Sequence, residues 1–308
     1  MNGLAPVNRA FAGWRSSLAL MLALTLAPLP VSSAQSFFQS PDAAMDAFGT
    51  AVANNDEGEL KALLGADFRQ VIPPVGAELR EKFLSEWKAS HSVQATGSDH
   101  AQIAVGKDGW TLPVPLVKTA QGWHFDMHAG ADEMRLRRIG RNELAAIQTM
   151  LAIYDAQRDY ASAYRDGAKV YVYADRFAST PGKHDGLYWR TGPGEDPSPL
   201  GPAFMSAGAR NAAPSGYHGY HYKLLRAQGP HAPGGGYDYM VDGRLFGGFA
   251  VIAWPAKYGE TGIKSFMISH DGQVYERDLG PDTSKKVHKM TKFDPGPGWD
   301  RVSDQTLP

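Results

Sequence analysis

The sequence predicts an α+β protein: helices and a curved antiparallel sheet, then a long helix packed on a second antiparallel sheet. Three observations carry this. Apolar residues between Ser40 and Trp87 recur at helical spacing. Short β-rich runs separated by turn residues fill 101–127 and 217–278. Between them, a helical stripe starts at Asn142.

Ser40-Pro41 is a helix start, because Ser accepts a free backbone N–H and Pro fits the first turn. Ala44, Met45, Phe48, Ala51 and Val52 follow on one face. Asn54-Asn55-Asp56 ends that helix and caps a second, in which Leu60, Leu63 and Leu64 form the apolar edge and Gly65 closes the C-terminus. Leu79, Phe83, Leu84 and Trp87 predict a third helix. Strands are expected at Ala101–Val105, Thr111–Lys118 and Gly122–Met127, the last two joined as a hairpin.

The second half opens with the predicted long helix. Asn142 is its expected N-cap, and Leu144, Ile147, Leu151 and Tyr154 trace its stripe, broadened by Met150 and Ile153. Gln157, Tyr160 and Tyr164 continue it towards Asp166-Gly167. Most of the 34 Gly and 21 Pro fall after Ala178, so loops dominate there. Strands are expected at Tyr217–Leu225, Gly236–Val241, Arg244–Ile252, Ile263–Ser269 and Gln273–Asp278. Asp242-Gly243 and Asp271-Gly272 read as two-residue hairpin turns, which need positive φ. The expected units are 35–130 and 131–308.

Ahead of them, residues 1–34 have the layout of a secretory signal peptide. Arg9 and Arg15 precede an apolar run, Leu18–Leu29, and Ser32-Ser33-Ala34 supplies small residues for cleavage before Gln35. The expected location is periplasmic or secreted. Without Cys, disulfides, thiol catalysis and thiolate metal sites are excluded. Loss of the leader takes two of the 31 basic residues and none of the 32 acidic ones, so no basic footprint for nucleic acid remains. No stable membrane insertion is expected once the leader is removed.

Helices followed by a meander ending in "GWHFD" resemble the nuclear-transport-factor-2-like domains, which implies a cone-shaped fold for the first unit. "AQRDYASAYRDG" and "AWPAKYGETGIKSFMISHDGQVY" resemble the helix end and last hairpin of pilin-like proteins, without the prepilin motif that filaments require. Longer blocks, among them "STPGKHDGLYW" and "GYHGYHYKLLRAQGPHAPGGGYDYM", are similar to domain-of-unknown-function family 2950. That resemblance implies an exported bacterial protein and no catalytic residues.

His184-Asp185 before Gly186-Leu187-Tyr188-Trp189 brings an imidazole, a carboxylate and two aromatics into one loop. The functional expectation is a non-catalytic envelope binding or assembly protein, taking a glycan, peptide or protein partner. Its expected contacts are Tyr154, Gln157, Tyr188, Trp189 and Gln228, beside a sheet rich in Tyr and Trp. The alternative is a cell-envelope hydrolase of glycan or peptide bonds, with His184 as general base and Asp185 as its orienter. No cofactor or metal is expected: His218 and His221, three apart in a strand, point to opposite faces. Arg135, Arg137, Arg138 and Arg141 read as partners for Asp132, Glu133 and Glu143, the alternative being a clamp for a carboxylate or phosphate.

Overall fold

The computed structural model describes residues 35–165, 169–207 and 214–303. The leader and Asp166-Gly167 lie outside the described residues.

Four helices open the fold: α1 (Pro41–Asn54), α2 (Glu57–Leu64), α3 (Phe68–Val71) and α4 (Ala77–Ala89). Ser40 caps α1 by accepting from the Ala43 N–H at 3.1 Å, and Asp56 caps α2 in the same way. Strands β1 (His91–Ala95), β2 (His100–Val105), β3 (Trp110–Thr111), β4 (Leu116–Thr119) and β5 (Gly122–Phe125) form an antiparallel sheet in the order β1-β2-β4-β5, with β3 also on β2. Its core joins Phe48 of α1, Leu63 of α2, Ile103, Leu116 and Phe125. The single strand expected over Thr111–Lys118 is two pieces, because Pro113 and Pro115 cannot donate to a ladder.

Helix α5 (Met127–Tyr160) begins fifteen residues before the expected Asn142. Asp126 is its N-cap, accepting from the Ala129 N–H at 3.0 Å. No single apolar stripe runs the length of this helix, because it faces two cores in succession. Met127 and Met134 pack on the first core, whereas Ala146, Ile147, Met150, Ile153, Ala156 and Tyr160 pack on the second. Leu144 and Tyr164, expected on the buried stripe, are exposed. Asn142 instead donates its side-chain amide to the Thr261 carbonyl at 2.8 Å.

After α6 (Pro202–Ala207) come β6 (Tyr220–Leu225), β7 (Ala227–Gln228), β8 (Tyr237–Asp238), β9 (Met240–Val241), β10 (Arg244–Leu245), β11 (Ala250–Pro255), β12 (Lys264–Ser269) and β13 (Val274–Asp278), then α7 (Thr283–Lys289) and β14 (Asp300–Arg301). The main sheet is antiparallel in the order β14-β13-β12-β11-β6. Every residue of β11 is buried, since α5 and α7 both contact this strand. That explains its unbroken apolar run, AVIAWP, in place of alternation. Full burial of a side chain such as Ile252 or Phe266 contributes about 1.5–3 kcal/mol.

Asp242-Gly243 is the expected tight turn, with Val241 opposite Arg244 and both turn residues at positive φ (48° and 75°). Asp271-Gly272 differs. Ile268 pairs with Val274, so five residues bridge β12 and β13, and Asp271 accepts from the Ser269 hydroxyl at 2.7 Å. The expected strand Arg244–Ile252 is interrupted by Gly247-Gly248, where φ of Gly248 reaches 147°.

Candidate functional site

The loop from Asp175 to Arg190 folds back on itself. The Tyr188 N–H donates to the Phe177 carbonyl and the Ser179 N–H to the Tyr188 carbonyl, both at 2.8 Å. Gly186 permits the close approach: a Cβ there would lie 2.7 Å from the backbone of Ala178 and Ser179. Leu187 is fully buried in the second core and Trp189 is only 6% exposed. The Tyr160 hydroxyl at the end of α5 donates to the His184 carbonyl at 2.9 Å, tying the loop to the helix.

One face of this loop walls a cleft of 830 Å³, lined by Ser179, Thr180, Lys183, His184, Tyr188, Trp189, Arg190 and Glu195 among others. The His184 ring stacks on Trp189 at 4.3 Å between centroids, with the planes 22° apart, and the Arg165 guanidinium lies 5.4 Å from the same indole. The other face borders a smaller cavity of 180 Å³, lined by Asp175, Arg176, Asp185, Arg165, Arg244 and the Tyr160 and Tyr173 rings.

Three of the expected residues therefore meet in one cleft: His184, Tyr188 and Trp189. Asp185 does not join them. Its two carboxylate oxygens accept from the Thr180 N–H and the Thr180 hydroxyl at 2.7 Å each, and the Arg176 guanidinium sits 3.3 Å away. Burial opposes the charge, but the Thr180 donors and Arg176 outweigh it and hold the carboxyl below its ordinary value. The acid expected to orient His184 is thus engaged on the opposite side of the loop.

The remaining expected contacts stand elsewhere. Gln157 is fully buried: its amide donates to the Ala174 carbonyl and accepts from the Ala174 N–H, both at 2.8 Å. Gln228 is 1% exposed and donates to the Pro233 and Gly235 carbonyls while accepting from the Tyr239 hydroxyl at 2.8 Å. Both glutamines complete backbone that no strand partner satisfies. Tyr154 is half-buried, 6.0 Å from Phe249 and away from the cleft lining. The aromatic sheet surface is largely core, since Tyr220, Tyr222, Tyr239 and Trp254 are buried and Tyr237 is 39% exposed. Burial first pushes the Tyr220, Tyr222 and Tyr239 hydroxyls far above their ordinary pKa, with Glu143 adding to the rise at Tyr220 and Tyr237 and Asp271 at Tyr239.

His218 sits in a turn at positive φ, His231 pairs with Asp294, and His221 lies beside Trp254. Burial first, and His288 second, hold the His221 imidazole below its ordinary pKa. No cluster of three metal-binding side chains forms among the described residues. The arginines of α5 are structural as expected in part: Arg135 pairs with Asp132 and Arg137 with Glu133. Arg138 instead reaches Glu260, and Glu143 accepts from the Ile263 and Lys264 N–H groups.

A second concave surface escaped sequence reasoning. Helices α1–α4, β3 and α5 surround an apolar groove of 530 Å³ in the first unit. The signal was present in α4, whose apolar residues read as core-facing. No residue of α4 is fully buried, and Leu79 is 62% exposed at the groove.

These features define an α+β protein with two hydrophobic cores strung on one helix. The chain belongs to the family described as Protein of unknown function (DUF2950), which matches residues 35–302. Comparison with curated proteins and with solved structures gave no match. No helix among the described residues is long and apolar enough to cross a membrane.

Proposed function

We propose that this is an exported, non-catalytic binding protein of the cell envelope, and that the 830 Å³ cleft takes a hydroxyl-rich glycan. The observation carrying this reading is the gathering of Tyr188, His184 and Trp189 on one wall with the Ser179 and Thr180 side chains and the cations Lys183 and Arg190. Sugar rings need apolar faces for stacking and polar groups around the edge. Trp189 already carries the His184 ring, so the partly buried Tyr188, which still lines the cleft, is the stacking surface for the ligand. The hydrolase alternative is weakened by the engagement of Asp185 with Thr180 and Arg176.

Titration with glycans and muropeptides, followed by Trp fluorescence, tests the reading. Saturable binding without product is expected, and Tyr188→Ala should weaken it roughly three- to ten-fold, as for loss of one aromatic contact. Product that disappears in His184→Ala would replace this reading with the hydrolase. Export rests on the leader, and protein recovered from the host envelope should have the mass of a chain beginning at Gln35.

A further inference from the structure

The apolar groove of the first unit has features of a ligand site independent of the loop cleft. Phe48, Leu60 and Phe83 form its walls, and Leu79 and Trp110 stand exposed at its rim (62% and 49%). Its 530 Å³ lies within the range of small-molecule sites, roughly 300–1,000 Å³. Apolar surface left open in this way costs free energy in water and is recovered when an apolar ligand covers it.

Charge decides which apolar ligand. Three charged side chains line the groove: Glu57, Arg69 and Arg80. Glu57 and Arg69 neutralise one another through two parallel bonds, Nε to Oε1 at 2.7 Å and Nη2 to Oε2 at 2.5 Å. Arg80 has no carboxylate within ion-pair distance among the described residues. It donates through Nη1 to the neutral Asn55 Oδ1, and Asn55 is itself fixed at the C-cap of α1 with φ of 51°. The groove thus joins an apolar wall to one positioned, uncompensated guanidinium whose remaining N–H groups match a planar carboxylate.

The geometry points to a fatty acid as the occupant, with its alkyl chain between Phe48, Leu60 and Phe83 and its carboxylate on Arg80. A protein carrying both sites would hold an acyl ligand in the first unit and a glycan in the second.

Calorimetric titration of the exported chain with saturated fatty acids of increasing length, and with alcohols of the same length, all below their micelle concentrations, tests this. Affinity should rise by up to about four-fold per added CH₂, the full-burial value. The acid should bind at least about ten-fold more tightly than the alcohol, as for a hydrogen bond to a charged group. Arg80→Gln should abolish the preference for acid while keeping the chain-length slope. Leu79→Glu, at a position 62% exposed, should abolish binding. Tyr188→Ala should leave fatty-acid binding unchanged, which separates this site from the loop cleft. A flat chain-length series, or a slope untouched by Leu79→Glu, overturns the inference. A concentration-dependent dimer abolished by Leu79→Glu also overturns it, because a second copy would then be the occupant.

Discussion

Asp185 and His184 are neighbours in the chain yet line different cavities. Adjacency brought them together on paper, but side chains that leave successive residues diverge unless the backbone turns to reunite them. The Thr180 bonds hold the carboxylate on the far side, so its role is to shape the cleft loop. Asp185→Asn keeps one acceptor and loses the charge, and should cost about 1–2 kcal/mol at neutral pH. The sign with pH follows from a carboxyl whose folded pKa is depressed. Its stabilisation is fully present above the unfolded value of about 3.9 and is lost as pH falls through the lower folded value. Melting of the wild type and the variant should therefore differ at pH 7 and converge in strong acid; a constant difference would refute this role. Gln157 and Gln228 teach a related lesson. An amide side chain beside aromatic residues reads as a ligand contact, whereas both amides here satisfy buried backbone. Which of these a glutamine does depends on how the chain after it folds back, at Ala174 for Gln157 and at Pro233 and Gly235 for Gln228, and side-chain spacing carries no record of that.

Elements bounded by local chemistry were legible: α1 and α2 follow from Ser40, Pro41 and Asp56, and the β9–β10 hairpin from Asp242-Gly243. Elements whose residues contribute little apolar surface were not. Strand β1, HSVQA, is mostly exposed at the sheet edge, and α7 presents Val287 as its fully buried apolar anchor among lysines. The cleft loop was legible as a cluster of chemical groups, but its shape depends on Gly186. A Cβ there would meet backbone, which cannot swing aside as a flexible side chain would. Gly186→Ala should destabilise the second unit by about 1–3 kcal/mol, as for overpacking elsewhere. It should also weaken glycan binding at the cleft while leaving fatty-acid binding in the first unit intact. Thermal melting with both ligands would check this, and an unchanged midpoint would show that the 178–179 segment is free to move.

Across the whole molecule, α5 is the member that both cores share. Its first half contacts the first core, its second half packs beneath β11 and β12, and Arg137 and Arg138 bond outwards to Thr111 and Glu260. Gly140 lies in the stretch between the two packed halves, exposed, with open space where a Cβ would stand. A mid-helix glycine without a packing reason costs about 0.5–1 kcal/mol relative to alanine. Gly140→Ala should therefore stabilise the chain by that amount and raise the melting midpoint by roughly 2 °C, given the chain length. Gly140→Pro acts in the opposite direction, removing one helical hydrogen bond and clashing with the preceding turn at a cost of about 3 kcal/mol or more. Because each half of α5 has its own buried cluster, the proline should separate the calorimetric melt into two transitions. Each transition should still shift with its own ligand, the fatty acid for the first unit and the glycan for the second. If Gly140→Pro instead melts in a single transition at the wild-type midpoint, the helix does not couple the two cores. If one transition persists and falls with the proline, the cores unfold together through contacts other than α5, with the loop at Gly259–Thr261 the first place to look, since Arg135, Arg138 and Asn142 all reach it.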